Sequence, residues 1–159
     1  LQEIWSIPEM KILFVCLGNI CRSPLAEAIF NEKIRQLQCE HLFQADSCGT
    51  GNYNIGDNPD PRTIRSANQH NIPITHCARQ FTSGDAEVFD LILAMDNNNY
   101  QNIIRITHSS HHDKVKLMRS YDPSGNGDVP DPYHGNEKDF DEVFKILDRS
   151  IDSLIKDLI

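Results

Sequence analysis

Apolar residues fall along the chain in two rhythms. Four short runs, ILFVC at 12–16, LFQAD around 42–46, FDLILAM at 89–95 and KVKLM at 114–118, are bounded by polar residues and predict buried strands. Between and after them the apolar spacing changes to three and four. Leu25, Ala26, Ile29, Phe30, Ile34 and Leu37 predict a first helix. A second is expected from about Pro61 to His70, with Asp60 as its cap and Pro61 at its first position. A third runs from about Asp96 to Ile106. The last carries the clearest stripe, Phe140, Val143, Phe144, Leu147, Ile151, Leu154, Ile155 and Leu158, and Asn136 and Asp139 have the spacing of a capping box at its start.

Strands that alternate with helices require right-handed crossovers and a parallel sheet covered on both faces. The expected fold class is therefore α/β: three layers, α/β/α, around a central four-stranded parallel sheet. Ligands bind such sheets beyond the carboxyl ends of the strands, where the winding reverses. Cys16 ends the first run, so the loop after it is the expected site.

Composition narrows the partners. The chain of 159 residues fits one domain over 11–159, preceded at 1–10 by a loose arm or an expression remnant. A formal net charge of −8 excludes general nucleic-acid binding and means that any anion site must be built from a few directed groups. No apolar run approaches the ~20 residues of a membrane span, so no membrane is expected. Five irregularly spaced cysteines point to reduced thiols and a cytoplasmic setting.

The loop CLGNICRSP, Cys16 to Pro24, carries the candidate chemistry. After a strand, Leu17, Gly18, Asn19, Ile20 and Cys21 can curl so that successive backbone N–H groups form an anion-binding concavity. Gly18 permits the positive φ such a curl demands and Asn19 tolerates it. Ser23 is expected to cap the following helix and Pro24 to open it, which adds the partial positive charge of a helix N-terminus. Arg22 supplies a planar fork for two phosphate oxygens. A thiol in that field ionises readily and, as a thiolate beneath a bound phosphorus, is placed for in-line attack. The expelled group needs a proton, and two Asp-Pro pairs offer one: Asp122 in SYDPS and Asp131 in DPYHG. Asp131 is the better placed, beside an aromatic and directly before the last helix. No metal or cofactor is called for; His108, His111 and His112 lie in a polar connection without a tied geometry.

These segments, ILFVCLGNICRSPLAEAIF, DSCGT, NPDPR, IPITHCARQ, FDLILAMD and SYDPSGNGDVPDPYHGNEKDF, resemble in type and order the low-molecular-weight protein tyrosine phosphatases. The resemblance implies a phosphocysteine mechanism with Cys16 as nucleophile, Arg22 as phosphate-binding arginine and Asp131 as general acid. It also implies that Asn19, Ser23, Ser47 and His76 form a polar network supporting the loop. Tyr53 and Tyr133 match an aromatic rim, flanked by Leu17 and Ile20, and His134 stands where many members carry a second tyrosine. Cys21 matches a second loop cysteine, implying a reversible disulfide with Cys16; Cys39, Cys48 and Cys77 receive no role. The expected partners are a phosphotyrosine-containing protein or a small aryl phosphate, with inorganic phosphate as product.

Three rivals use parts of the same apparatus. A thioredoxin-coupled arsenate reductase would need two further cysteines downstream, and none follows Cys77. A non-catalytic phosphate-binding module would have no use for thiol, arginine and acid together. A phosphocysteine carrier would not need the acid loop.

Overall fold

The computed structural model describes residues 9–159. Its elements are β1 (Met10–Cys16), α1 (Arg22–Gln36), β2 (Phe43–Gly49), α2 (Pro61–Asn68), α3 (Ser83–Val88), β3 (Leu91–Ala94), α4 (Asn97–Ile106), β4 (Val115–Leu117) and α5 (Glu137–Leu158). Short 3-10 turns precede β2 and β4 and follow β4. The four strands form one parallel sheet in the order β2-β1-β3-β4. The winding reverses between β1 and β3, which is where a ligand crevice opens in sheets of this kind. Of the segment expected to precede the domain, residues 1–8 lie outside the described residues, and Met10 already pairs with Phe43 in β1.

Both faces of the sheet are buried along its central strands β1 and β3, as their unbroken apolar runs require. Along β1 the side chains alternate: Ile12, Phe14 and Cys16 join the core beneath α1, α2 and α5, while Leu13 and Val15 join the core beneath α3 and α4. Phe30 of α1 stands edge-on between Phe14 and Phe43, with ring centroids at 5.9 and 5.4 Å. The expected stripe of α5 is its buried face, and its cap is as read: Asn136 accepts from the Asp139 N–H while Asp139 accepts from the Asn136 N–H.

Three local expectations are corrected. The helix after the loop begins at Arg22, with Cys21 rather than Ser23 at its cap and no side-chain cap bond; Ser23 is drawn inward by the loop. Leu37, placed on the α1 stripe by its spacing, lies past the helix end and is more than half exposed, because the chain turns out through a left-handed Gln38 (φ 56°). And α3 went unanticipated: six residues are too few to show a period, and its start is set by a capping box between Thr82 and Asp85.

Asp122, the other Asp-Pro aspartate, has a structural partner set rather than a place at the crevice. Its carboxylate is buried and receives Arg119 Nε (2.9 Å), Arg149 Nε (2.8 Å) and the Ser124 N–H (2.9 Å), so it fastens the segment after β4 to α5. Burial alone would raise its pKa, but the hydrogen bonds from Arg149, Ser124 and Arg119 bring it down to about 2. The carboxyl is thus lower in the folded chain than its ordinary 3.8. Its stabilising contribution is complete above that ordinary value and is lost as pH falls through about 2. Asp122→Asn should therefore cost ~3 kcal/mol near neutrality by stranding two arginines. Denaturant titration of both proteins should show the difference shrinking below pH ~4 and vanishing near pH ~2.

Candidate active site

β1 delivers Cys16 to the crevice, buried, opposite Gly49 in the register of the sheet. The loop that follows is held by its carbonyls. The carbonyls of Cys16, Leu17 and Ile20 accept from the N–H groups of Thr50 (2.9 Å), Gly51 (2.9 Å) and Asp60 (2.8 Å). Gly18 O accepts from Asn54 Nδ2 at 3.3 Å. In a planar trans peptide the N–H points opposite to the C=O, so anchoring the carbonyls outward turns the following N–H groups toward the concavity over Cys16. The Asn19 N–H does so directly, 3.3 Å from Cys16 Sγ.

The left-handed residue of the curl is Asn19 (φ 56°), not Gly18. Gly18 serves close approach instead: a Cβ there would lie 2.7 Å from Asn54 Nδ2. Gly49 has the stricter role, since a Cβ on it would meet the Leu17 carbonyl oxygen at 2.6 Å and the Asn19 nitrogen at 3.2 Å, both backbone.

Asn19 also organises the polar network beneath the loop. Its Oδ1 accepts the Arg79 N–H (3.0 Å), which fixes the amide orientation; its Nδ2 donates to Ser23 Oγ (2.8 Å) and Ser47 Oγ (3.1 Å). Having accepted from Asn19, Ser23 turns its one proton either to Cys16 Sγ at 3.0 Å or to the Cys48 carbonyl at 3.3 Å. Because Asn19 Oδ1 is an acceptor, His76 Nε2 at 2.7 Å must be the donor. That leaves His76 Nδ1 facing Glu27 Oε1 at 3.4 Å, and the same Glu27 oxygen accepts from Ser47 Oγ at 2.7 Å. Burial pushes the Glu27 carboxyl up to about 7 and pushes His76 below its ordinary value.

Arg22 lies under the loop with a side-chain exposure of 3%. Its Nη1 donates to Asp96 Oδ2 (2.7 Å) and to the Val129 carbonyl (2.9 Å), and its Nη2 lies 3.7 Å from Asp131 Oδ2. Burial works against its charge, but Cys16, Asp96 and Asp131 together hold its pKa above the ordinary value. Asp96 does two jobs: its other oxygen accepts the Asn99 N–H at 2.7 Å and caps α4.

Above this floor opens a cavity of about 280 Å³. Leu17, Ile20, Cys21 and Asn54 wall it, Tyr53, Tyr133 and His134 form its mouth, and Asp131 stands on one side. The Tyr133 and His134 rings meet edge-to-face at 4.9 Å, so the histidine extends the aromatic lip. Cys16 and Cys21 are both free thiols; burial, with Asp60 adding to it, pushes Cys21 up to about 12.

The crevice thus gathers Cys16, Arg22, Asp131, the whole loop, the Asn19–Ser23–Ser47–His76 network and all three rim residues. The histidine tract stays apart: His108 Nδ1 accepts the Ser110 N–H at 3.1 Å and His112 Nε2 donates to the Thr107 carbonyl at 2.9 Å. Sequence reasoning missed Glu27, Gly49, Asn54 and Asp96. Asp96 alone had a signal, its place just past the carboxyl end of β3, where the fold puts ligands.

A curled loop over a buried sulfur, with an arginine beneath it and an aspartate at its side, is the arrangement expected of a cysteine-dependent phosphatase. Residues 11–159 match the family described as low molecular weight phosphotyrosine protein phosphatase. The family's protein from Gallus gallus is 43% identical over 140 residues, 86% of this chain and 89% of that one. A crystal structure of a protein tyrosine phosphatase from Entamoeba histolytica, with Hepes in its active site, superposes with a TM-score of 0.92 at 36% identity over 94% of this chain and 97% of that one. The arginine phosphatase YwlE of Bacillus subtilis, in a mutant with a phosphorylated active-site serine, superposes with a TM-score of 0.84 at 28% identity over 94% of this chain and 95% of that one. The chain belongs to the low-molecular-weight protein tyrosine phosphatase family, and it hydrolyses phosphotyrosine and aryl phosphates by a cysteine-based mechanism.

Gly49→Ala provides a test of the loop geometry. The new methyl must displace the Leu17 carbonyl, and a displacement of about 1 Å beside the reacting atoms is worth up to ~10² in rate. The variant should fold, with unchanged far-UV circular dichroism, and lose about 10- to 100-fold in kcat/KM for an aryl phosphate. Wild-type kinetics in this variant would mean that the contact is relieved without moving the loop.

Proposed function

We propose that Cys16 is the nucleophile, Arg22 and the loop N–H groups the phosphate clamp, and Asp131 the general acid and then the general base. The observation that carries this reading is the convergence of Cys16, Arg22 and Asp131 on one cavity, with Arg22 Nη2 3.7 Å from the Asp131 carboxylate. The serine that carries phosphate in the YwlE mutant supports a covalent intermediate at this position of the fold.

In the first step Cys16 Sγ forms a bond to phosphorus as the bond to the phenolic oxygen breaks. Asp131 gives that oxygen its proton. The equatorial oxygens are held by donors already in place, which stabilise the charge of the transition state without reorganisation. In the second step Asp131 takes a proton from water, the water oxygen bonds to phosphorus, and the Cys16 thiolate leaves with inorganic phosphate as the other product. Tyr53, Tyr133 and His134 pack against the aryl ring, and the proposed substrate is phosphotyrosine in a protein.

Redox control by Cys21 fits the same site. Peroxide would oxidise Cys16 to a sulfenic acid, and condensation with the Cys21 thiol would close a disulfide with loss of water. Burial pushes the Cys21 thiol up to about 12, which keeps it protonated until then. A thiol nucleophile needs a reducing compartment, and the cytoplasm is the proposed one.

Phosphate release from a phosphotyrosine peptide under reductant tests the assignment. Cys16→Ser should abolish turnover, and Asp131→Ala should slow it by ~10²–10⁴ while Asp122→Ala spares the chemical step. A phosphoarginine peptide turned over faster than the phosphotyrosine peptide would overturn the substrate assignment. Equal losses for the two aspartates would overturn the choice of acid.

A further inference from the structure

The segment carrying Asp131 is held at two points equidistant from it along the chain. Two residues upstream, Val129 is fully buried; its N–H donates to the Met95 carbonyl (2.7 Å) and its carbonyl accepts from Arg22 (2.9 Å). Two residues downstream, the Tyr133 carbonyl accepts from Arg62 Nη2 at 2.9 Å. Asp131 hangs between an arginine of the phosphate cradle and an arginine of α2.

Arg62 is itself tightly located. Its Nε and Nη2 take both oxygens of Asp60, at 3.1 and 2.8 Å, and its guanidinium lies over the rings of Phe140 (4.6 Å) and Tyr133 (5.5 Å). Asp60 in turn donates its backbone N–H to the Ile20 carbonyl of the cradle at 2.8 Å. A continuous path therefore runs from the nucleophile's loop through Asp60 and Arg62 to the acid's loop. The hydrogen bonds of Arg62 hold Asp60 below the usual carboxylate range, so the fork stays paired across neutral pH. The guanidinium opens toward a separate depression with Arg65 and Phe140, away from the cavity over Cys16. It does not line the cavity over Cys16.

We propose that Arg62 is a positioning residue for proton transfer, setting the distance of Asp131 from the leaving-group oxygen by pinning the Tyr133 carbonyl to the cradle. This inference rests on the reading of Asp131 as the general acid. Loss of the pin frees the downstream half of the acid loop and leaves the phosphate clamp in place: Thr50, Gly51 and Asp96 anchor it without Arg62, and Asp60, whose N–H holds the Ile20 carbonyl, still accepts the backbone N–H of residue 62 at 2.9 Å.

The test is a series of aryl phosphates whose leaving phenols range from strongly acidic to unactivated, assayed with wild type, Arg62→Ala, Arg62→Lys and Asp131→Ala. The lysine variant keeps a charge for Asp60 but cannot make the fork and reach Tyr133 together, so it guards against misfolding of the alanine variant. Asp131→Ala should lose most on unactivated phenols; if it does not, the general-acid reading itself fails. Given that it does, both Arg62 variants should lose about 10- to 100-fold in kcat/KM, which reports the step that expels the phenol, on unactivated phenols, a part of the usual acid–base range, and little on activated ones. Inhibition by vanadate should be unchanged, and adding Arg62→Lys to Asp131→Ala should cost nothing further. An equal loss of kcat/KM across all leaving groups, weaker vanadate inhibition, or an undiminished loss in the Asp131→Ala background would overturn the proposal, as would wild-type kinetics in Arg62→Lys.

Discussion

The buried guanidinium of Arg22 is the interaction on which the site depends. Taking such a charge out of water costs several kcal/mol unless its donors are satisfied. Here Asp96 after β3 and the Val129 carbonyl in the acid loop accept its hydrogen bonds, and the charges of Cys16 at the end of β1 and of Asp131 add to them. These partners lie in segments far apart in the chain, at the end of β1, after β3 and after β4. Paying for one charge therefore brings the carboxyl ends of β1 and β3 and the segment before α5 into fixed relation.

A second layer does for the loop what Arg22 does for the crevice. Outward carbonyls bonded to Thr50, Gly51, Asn54 and Asp60 make the inward N–H groups a consequence of peptide planarity rather than of any side chain. Asn19 serves both layers, since its backbone supplies the left-handed turn and its amide joins Ser23, Ser47, His76 and Arg79. The Glu27–His76 pair lies at the far end of that network, with His76 two hydrogen bonds from the sulfur's own serine.

Aspartates show how one residue type is divided by its surroundings. Asp122 and Asp131 both precede proline in similar turns, yet Asp122 is enclosed by two arginines and kept ionised, while Asp131 is about half exposed on the lip of the cavity. Asp96 and Asp60 carry no catalytic signature and are committed to Arg22 and Arg62. Their value is positional: each holds an arginine that in turn holds the acid loop.

Much of this was legible in the chain by itself. The apolar runs and their three- and four-residue successors specify the strands, α1, α2, α4 and α5, because burial on two faces or on one stripe is a local demand on residue type. The loop after β1 reads directly for a similar reason: its thiol, turn-forming asparagine and arginine lie within a few residues of one another. What only the tertiary structure decided are the partners that arrive from distant segments. Gly49, Asn54, Glu27, Asp96 and Arg62 meet the site across crossovers, and no spacing in sequence records which carbonyl a guanidinium will reach. Even Ser23, a well-formed cap by local rules, was taken by the sulfur and by Asn19, because a buried hydroxyl follows the strongest partners within its reach.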